Sequence, residues 1–337
     1  MSRENRLIVT VLLAITYCAV NLFGLLSGYL KIDRPHRNAS LISLLSQTFV
    51  WCFLIAVVCA VFFGERSAGA VIRNTFPFTV DRLWYITCYC FVFLCAPYLN
   101  LLVSQLTQKT YKAMLIILFI LMSLIPTFLL RDYFHVVNQG YSGAWLVYMY
   151  LIGGYLKKFG FRKKRKSNKV FILLLLCVCI LVASKYVFES ILLKIGLNAD
   201  KAWLLYYYCS PFTLLISVCF LYLFTNISIK GGILGRCFTW ISKAAFGIYI
   251  IHAHPFSLDH ILIGENFKWV IQDNGIVTFL LLVELIIGIV VFLGVLEHAR
   301  ALLFDFIGIE KVIMKMGAKI DALLNIEEVN DLVQRKH

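Results

Sequence analysis

Four groups of residues in this sequence have types and spacings that chemistry can use. Glu284 sits inside a long apolar run with no charged neighbour within eight residues. A carboxylate at bilayer depth costs several kcal/mol unless it is paired, hydrated or protonated, so such a residue is a candidate catalytic group. The competing reading is a protonated side chain in a structural hydrogen bond. His252 opens the run His252-Ala253-His254-Pro255, and an imidazole is the side chain best suited to general-base work near neutral pH. On a continuous helix His254 points about 200° away from His252 and precedes a helix-breaking proline, which makes the two a poor metal pair. An interfacial hydrogen-bonding role explains a histidine there equally well. Ser27-Gly28-Tyr29 closes the first apolar run, and its two small residues let either a ligand or another helix approach the backbone. Arg34-Pro35-His36-Arg37 follows directly. Two arginines fixed around a proline can clamp phosphate oxygens, and they can equally be an ordinary basic flank.

The elements that must position these residues are membrane helices. Of 337 residues, 61% are hydrophobic and 15% charged, against roughly 45 to 50% and about 25% in a soluble domain. A water-soluble fold could not bury so much apolar surface. The net charge of +14 does not indicate a nucleic-acid partner, because the basic residues fall in short loops and form no continuous face with aromatic platforms. The eleven cysteines lie mostly inside apolar runs, and the pairs Cys88/Cys90 and Cys177/Cys179 are spaced to point apart on a helix. They read as small core residues, with no metal expected.

A span needs about 20 apolar residues. Runs at 7–30, 41–63, 83–103, 112–130, 143–156, 170–188, 203–224, 238–262 and 275–297 qualify or nearly so. The expected fold is therefore all-α, a polytopic integral membrane bundle of about nine transmembrane helices over residues 1–300. The loop 157–169, with eight Lys and Arg, must face the cytoplasm. Alternation from that anchor puts 21 Lys and Arg inside and nine outside, and makes the C-terminus cytoplasmic. It also strands Arg3 and Arg6 outside, which implies either a local violation of that rule or a further helix upstream.

Beyond residue 300 a separate tail, 301–337, carries Ile309, Ile313, Met316, Ile320 and Leu323 at alternating spacings of four and three, with Lys311, Lys315 and Lys319 opposite. This pattern predicts an amphipathic helix lying on the cytoplasmic leaflet with membrane lipid as its partner. A helix packed on the cytoplasmic loops is the alternative. No internal repeat is visible, so the pattern of an inverted-repeat transporter finds no support.

Three stretches together resemble a known family. Asn21 to Tyr29 is similar to the signature Phe-x-x-x-Ser-Gly-Phe/Tyr of the membrane-bound acyltransferase family 3, bacterial O-acyltransferases of surface glycans. Leu83-Trp84-Tyr85-Ile86 running to Ala96-Pro97-Tyr98-Leu99-Asn100, and Phe246-Gly247-Ile248-Tyr249-Ile250-Ile251-His252, resemble its polysaccharide-modifying members. The resemblance spans roughly residues 10 to 300. It implies acyl transfer from a cytoplasmic acyl-CoA, commonly acetyl-CoA, to a hydroxyl of a cell-surface or lipid-linked glycan, in a bacterial plasma membrane. It also implies that Ser27, Gly28, Tyr29, Arg34 and Arg37 serve the donor, although Arg34 and Arg37 stand closer to Ser-Gly-Tyr than the family pattern places its Arg-x-x-Arg pair. The family's first helix, which carries an Arg and a catalytic His, has no counterpart here. The chain thus starts at the family's second helix, and without upstream sequence little activity is expected. Within the chain the base must come from His252, His254 or Glu284; the similar depths of His252 and Glu284 predict a shared cavity. A non-catalytic role, as a glycan-precursor flippase or an inactive relative, is the contrasting expectation.

Overall fold

A computed structural model describes residues 2–77, 83–129, 135–160, 167–229, 231–262 and 264–334. Among these the structure is all helical, with no strand. The helices are α1 (Arg3–Thr16), α2 (Ala19–Lys31), α3 (Ala39–Phe62), α4 (Ala68–Thr75), α5 (Trp84–Ser104), α6 (Gln108–Phe119), α7 (Ile125–Phe128), α8 (Gly143–Tyr155), α9 (Ser167–Lys194), α10 (Pro211–Asn226), α11 (Gly232–Ala253), α12 (Gly275–Ile307), α13 (Ile309–Leu323) and α14 (Ile326–Gln334). Seven stretches of the described residues are long and apolar enough to cross a membrane, confirming the polytopic bundle. Two of the nine expected spans, 143–156 and 238–262, are represented by α8 and α11, which do not meet that length and apolarity. Helix ends follow local chemistry. The Ser142 side chain accepts from Trp145 N–H and that of Asn274 from Ile276 and Val277 N–H, while Gly308, at φ +78°, closes α12.

The chain divides into two compact units. One gathers the chain up to Ile8 with Arg37–Thr87 and Ile229–Ile326, hence α3, α4, α11, α12 and α13; the other contains Val9–His36, Cys88–Ser228 and Glu327–His337.

The second unit is built around α2 against α8. A Cβ on Gly28 would lie 1.9 Å from the Tyr150 carbonyl oxygen, and one on Gly153 would lie 2.0 Å from that of Leu25. The two backbones touch at both places, and only glycine admits this. Asn21, fully buried, ties the same helices together: its carbonyl accepts from Trp145 Nε1 at 2.8 Å and its amide donates to the Tyr208 carbonyl at 2.8 Å.

The seventh expected span, 203–224, is not one helix. Residues 199–206 form a 3₁₀ segment, Tyr207 and the next three residues are irregular, and the α-helix starts at Pro211. Non-helical backbone at membrane depth must find partners within the protein, and here it does. Thr213 Oγ1 donates to Leu205 O at 3.2 Å and Tyr206 O at 3.3 Å. Ser210 N–H donates to Tyr207 O at 2.9 Å, Asn21 caps Tyr208 O, and Ser123 Oγ donates to Cys209 O at 2.6 Å.

In the first unit α13 packs on the start of α3. Gly317 lies against Ala39, where a Cβ would sit 2.5 Å from the Ala39 nitrogen, and Asp321 Oδ1 accepts from Asn38 N at 3.0 Å and Nδ2 at 2.7 Å. Of the stripe expected to enter lipid, Ile313 is buried, Ile309 and Ile320 are half-buried, and Met316 and Leu323 are exposed. The expected amphipathic helix is present, and half its apolar stripe faces protein.

The α2–α8 contact yields a stability test. Gly28→Ala must drive a methyl into the Tyr150 carbonyl, so it should cost about 1–3 kcal/mol, the range for overpacking a tight core. Gly288→Ala, where nothing lies within 4 Å of the added carbon, should leave stability unchanged. Thermal midpoints of the two purified variants in the same detergent check this ordering.

Candidate functional site

At the C-terminal end of α2 two of the motif stretches meet. Pro97 interrupts the hydrogen-bond ladder inside α5, and one turn later Asn100 turns inward, buried. Its amide donates to the Lys31 carbonyl at 3.1 Å, and its oxygen accepts from the Tyr150 hydroxyl at 2.8 Å. The end of α2 is therefore held by α5 and α8 together. Tyr111 adds a bond from its hydroxyl to Leu151 O at 2.7 Å, closing the wall behind α8.

Cations collect at this end. The Lys31 ammonium lies 4.5 Å from the centroid of Phe93 and 3.3 Å from the Tyr89 hydroxyl. Lys157 sits 5.1 Å over the Tyr29 ring, and Lys158 pairs with Asp33 at 3.7 Å. Arg34, exposed, lines a shallow recess with Pro35, Pro97, Asn100 and Asn330. The loop carrying Arg34 is pinned from α14: His36 N–H donates to Asn330 Oδ1 at 2.9 Å, and Asn330 Nδ2 donates to His36 O at 3.1 Å. Such a set of aromatic-supported ammonium and guanidinium groups can hold an anion in the manner of a phosphate clamp. Residues 161–166 of the basic loop 157–169 lie outside the described residues.

Each expected site residue has a definite place. Gly28 is filled by α8, so its role in the fold is the helix notch, while Ser27 and Tyr29 beside it are half-exposed. Arg37 is exposed and belongs to the first unit, Arg34 to the second. His252 is half-buried near the end of α11. Its Nδ1 lies 2.7 Å from the Ile248 carbonyl. A carbonyl only accepts, so Nδ1 donates this bond, and the neutral ring then holds its lone pair at Nε2, the nitrogen a base would use. His254 differs: fully buried, it donates from Nε2 to Asn74 O at 2.8 Å and accepts at Nδ1 from Phe256 N–H at 3.2 Å. Both nitrogens are committed, which makes it structural.

Glu284 requires a correction. Its side chain is exposed on α12, and among the described residues no ion pair or hydrogen bond joins it to His252. The expected cavity shared by His252 and Glu284 does not form. Similar depth in the membrane is not sufficient, because Glu284 sits on the face of α12 turned away from the packed helices.

Sequence reasoning missed a different carboxylate. Glu297, 13 residues further along α12 and 3% exposed, accepts from Trp51 Nε1 at 2.7 Å and from Arg300 Nη2 at 2.5 Å and Nε at 3.0 Å. Gly247, inside the third motif stretch, makes room for it, since a Cβ there would fall 2.2 Å from Glu297 Oε2. Beside it Trp240 stacks on His298 at 4.7 Å, and Gly294 leaves space for that indole. The Glu297/Arg300 spacing of three, ending an apolar run, was the available signal.

This all-helical membrane bundle, with its motif stretches placed as described, is an acyltransferase scaffold. The chain belongs to the acyltransferase family 3: the model of that family, described as an acyltransferase domain, matches residues 2–296. Comparison with curated proteins and with solved structures gave no significant match.

The Glu297 network predicts that the double variant is more stable than the single one. Arg300→Leu leaves a buried carboxylate uncompensated and should cost about 3–5 kcal/mol, whereas replacing both partners, Glu297→Leu with Arg300→Leu, should recover part of that loss. Thermal melts of the three proteins in one detergent read the ordering directly.

Proposed function

We propose that this membrane acyltransferase moves an acyl group, most simply acetyl, from cytoplasmic acyl-CoA to a hydroxyl of a cell-surface or lipid-linked glycan in a bacterial plasma membrane, with its C-terminus inside. The observation that carries the donor side is the gathering of Lys31, Arg34, Lys157 and Lys158 at one end of the second unit, around Tyr29 and Asn100 of two family motif stretches. The distribution of Lys and Arg favours the cytoplasmic face for that end. CoA carries three phosphates, and cations on that face are what its recognition requires. The exposed Arg37 continues the basic segment in sequence and belongs to the same donor reading, as do Ser27 and Tyr29.

In the reaction a base removes the proton of the sugar hydroxyl while its oxygen attacks the thioester carbonyl. The tetrahedral oxyanion then collapses, the C–S bond breaks, and the CoA thiolate takes up the proton. Within this chain His252 is the group with the chemistry of that base, because its tautomer leaves Nε2 available. Exposed and unpaired, Glu284 is the weaker candidate. The partners implied are membrane lipid and the glycan acceptor, with acyl-CoA a substrate and not a resident cofactor.

The donor assignment is tested by changing Arg34→Gln and Arg37→Gln together. Loss of charge-assisted phosphate contacts worth about 1.5–3 kcal/mol each predicts at least a tenfold rise in the Kd for CoA, with membrane insertion unchanged. Calorimetric titration of CoA into the purified protein measures this. Equal affinity in the double variant would reduce both arginines to orientation signals.

A further inference from the structure

The second unit contains a cavity of about 150 Å³ lined by Leu13, Tyr17, Trp203, Tyr206 and Tyr207. Tyr17 stands between α1 and α2, 14 residues from either end of the apolar stretch Arg3–Lys31, hence about 21 Å from each end and near the bilayer midplane. Trp203 and Tyr206 come from the 3₁₀ segment before α10, and Tyr207 from the irregular residues that follow it. The break between α1 and α2 and the 3₁₀ segment with its irregular end thus face each other across the cavity. Irregular backbone occurs inside the hydrocarbon region when it is buried in protein or lines a cavity, and broken helices at mid-depth are a recurrent way of building a binding site.

The chemistry of the lining identifies the ligand class. The chain contains 27 Phe against 17 Tyr and six Trp, yet every aromatic lining the cavity is Tyr or Trp. Each therefore offers a flat apolar face and a polar edge. Tyr17 uses its hydroxyl on Tyr141 at 2.8 Å, and Tyr206 directs its own to the Thr10 carbonyl at 3.4 Å. The Trp203 Nε1 and the Tyr207 hydroxyl make no hydrogen bond among the described residues, and both side chains are half-exposed. The Trp203 ring is fixed in place by the edge of Tyr206, 5.0 Å between centroids, and by the Lys185 ammonium at 5.3 Å, itself held by Glu189 at 2.7 Å. No cation lines the cavity, which disfavours a phosphate. The volume equals the share of about five waters, room for one small ring.

We propose that this cavity is a saccharide subsite, in which one pyranose ring of the acceptor lays its C–H face on the aromatic rings while Trp203 Nε1–H and the Tyr207 hydroxyl pair with its hydroxyl groups. The inference rests on the acyltransferase reading above for its biological meaning, but the binding itself can be tested separately. The full chain in lipid nanodiscs is examined by saturation-transfer NMR with the methyl β-pyranosides of glucose, galactose and N-acetylglucosamine, and in parallel by calorimetric titration of CoA. At least one pyranoside should receive transfer at its ring protons. Trp203→Leu should weaken its binding by tenfold or more, and Tyr207→Phe, which keeps the ring and removes only the hydroxyl, by about fivefold to tenfold. CoA affinity should be unchanged in both variants, which also shows that they are folded. Transfer to no pyranoside, or transfer undiminished in both variants, would overturn the subsite while leaving the donor reading intact. Pyranoside binding without any CoA binding would support the subsite and count against the donor reading.

Discussion

The structure depends first on a rule of the bilayer: a backbone carbonyl that is not bonded within a helix must be bonded by something else in the protein. Between Leu205 and Ser210 the chain gives up its helix at membrane depth, and five consecutive carbonyls, those of residues 205 to 209, are taken up by Thr213, Ser210, Asn21 and Ser123. Leaving one such group unmet would cost several kcal/mol in hydrocarbon. The donors come from α2, α10 and the π-helical turn Ile120–Leu124, so this single irregular stretch fixes three elements of its unit relative to one another. Gly140 contributes in the same way. At φ +98° it brings the preceding loop against Tyr208, with room for no side chain, and lets Gln139 O accept from Cys209 N–H at 3.3 Å.

The same rule gives meaning to small residues in the motif stretches. Where two helices have no hydrophobic force to bring them together, close backbone approach and specific side-chain bonds must do it. Gly28 against Tyr150 and Gly153 against Leu25 supply the approach, and Asn21 with Trp145 supplies the bond. In the other unit Gly247 admits Glu297, and Gly294 admits Trp240. Glycines in both the first and third motif stretches are thus explained by packing. Further along the third stretch, His252 bonds the Ile248 carbonyl through Nδ1, which leaves Nε2 outside that contact.

Apolar run length and charge placement made the helical class and most spans legible in the sequence, because those quantities are what insertion into a bilayer responds to. Cysteine spacing was legible in part: Cys177 is buried and Cys179 exposed, whereas Cys88 and Cys90 are both half-buried. Three things were not legible. The break before α10 falls in a stretch as apolar as a helix, and the groups that permit it, Asn21 and Ser123, are far away in sequence. The buried carboxylate that matters to packing is Glu297, whose place at the end of its apolar run says nothing of the indole and guanidinium that meet it. Glu284 stood out because it was isolated, and isolation in sequence says nothing about which face of the helix it occupies.

The two histidines show how a site assignment can turn on hydrogen-bond direction. In sequence they lie two residues apart in one short run, His254 directly before Pro255. In the structure a single carbonyl, that of Ile248, fixes one proton on His252 and leaves the other nitrogen basic, whereas His254 spends both nitrogens holding Asn74 and the turn at Phe256. Burial follows the same division, with His254 fully enclosed and His252 partly open. A buried imidazole whose two nitrogens are satisfied has no lone pair to offer, and protonating it would break the bond it accepts from Phe256 N–H. The chemistry open to this pair therefore belongs to His252, and His254 serves the turn that ends α11.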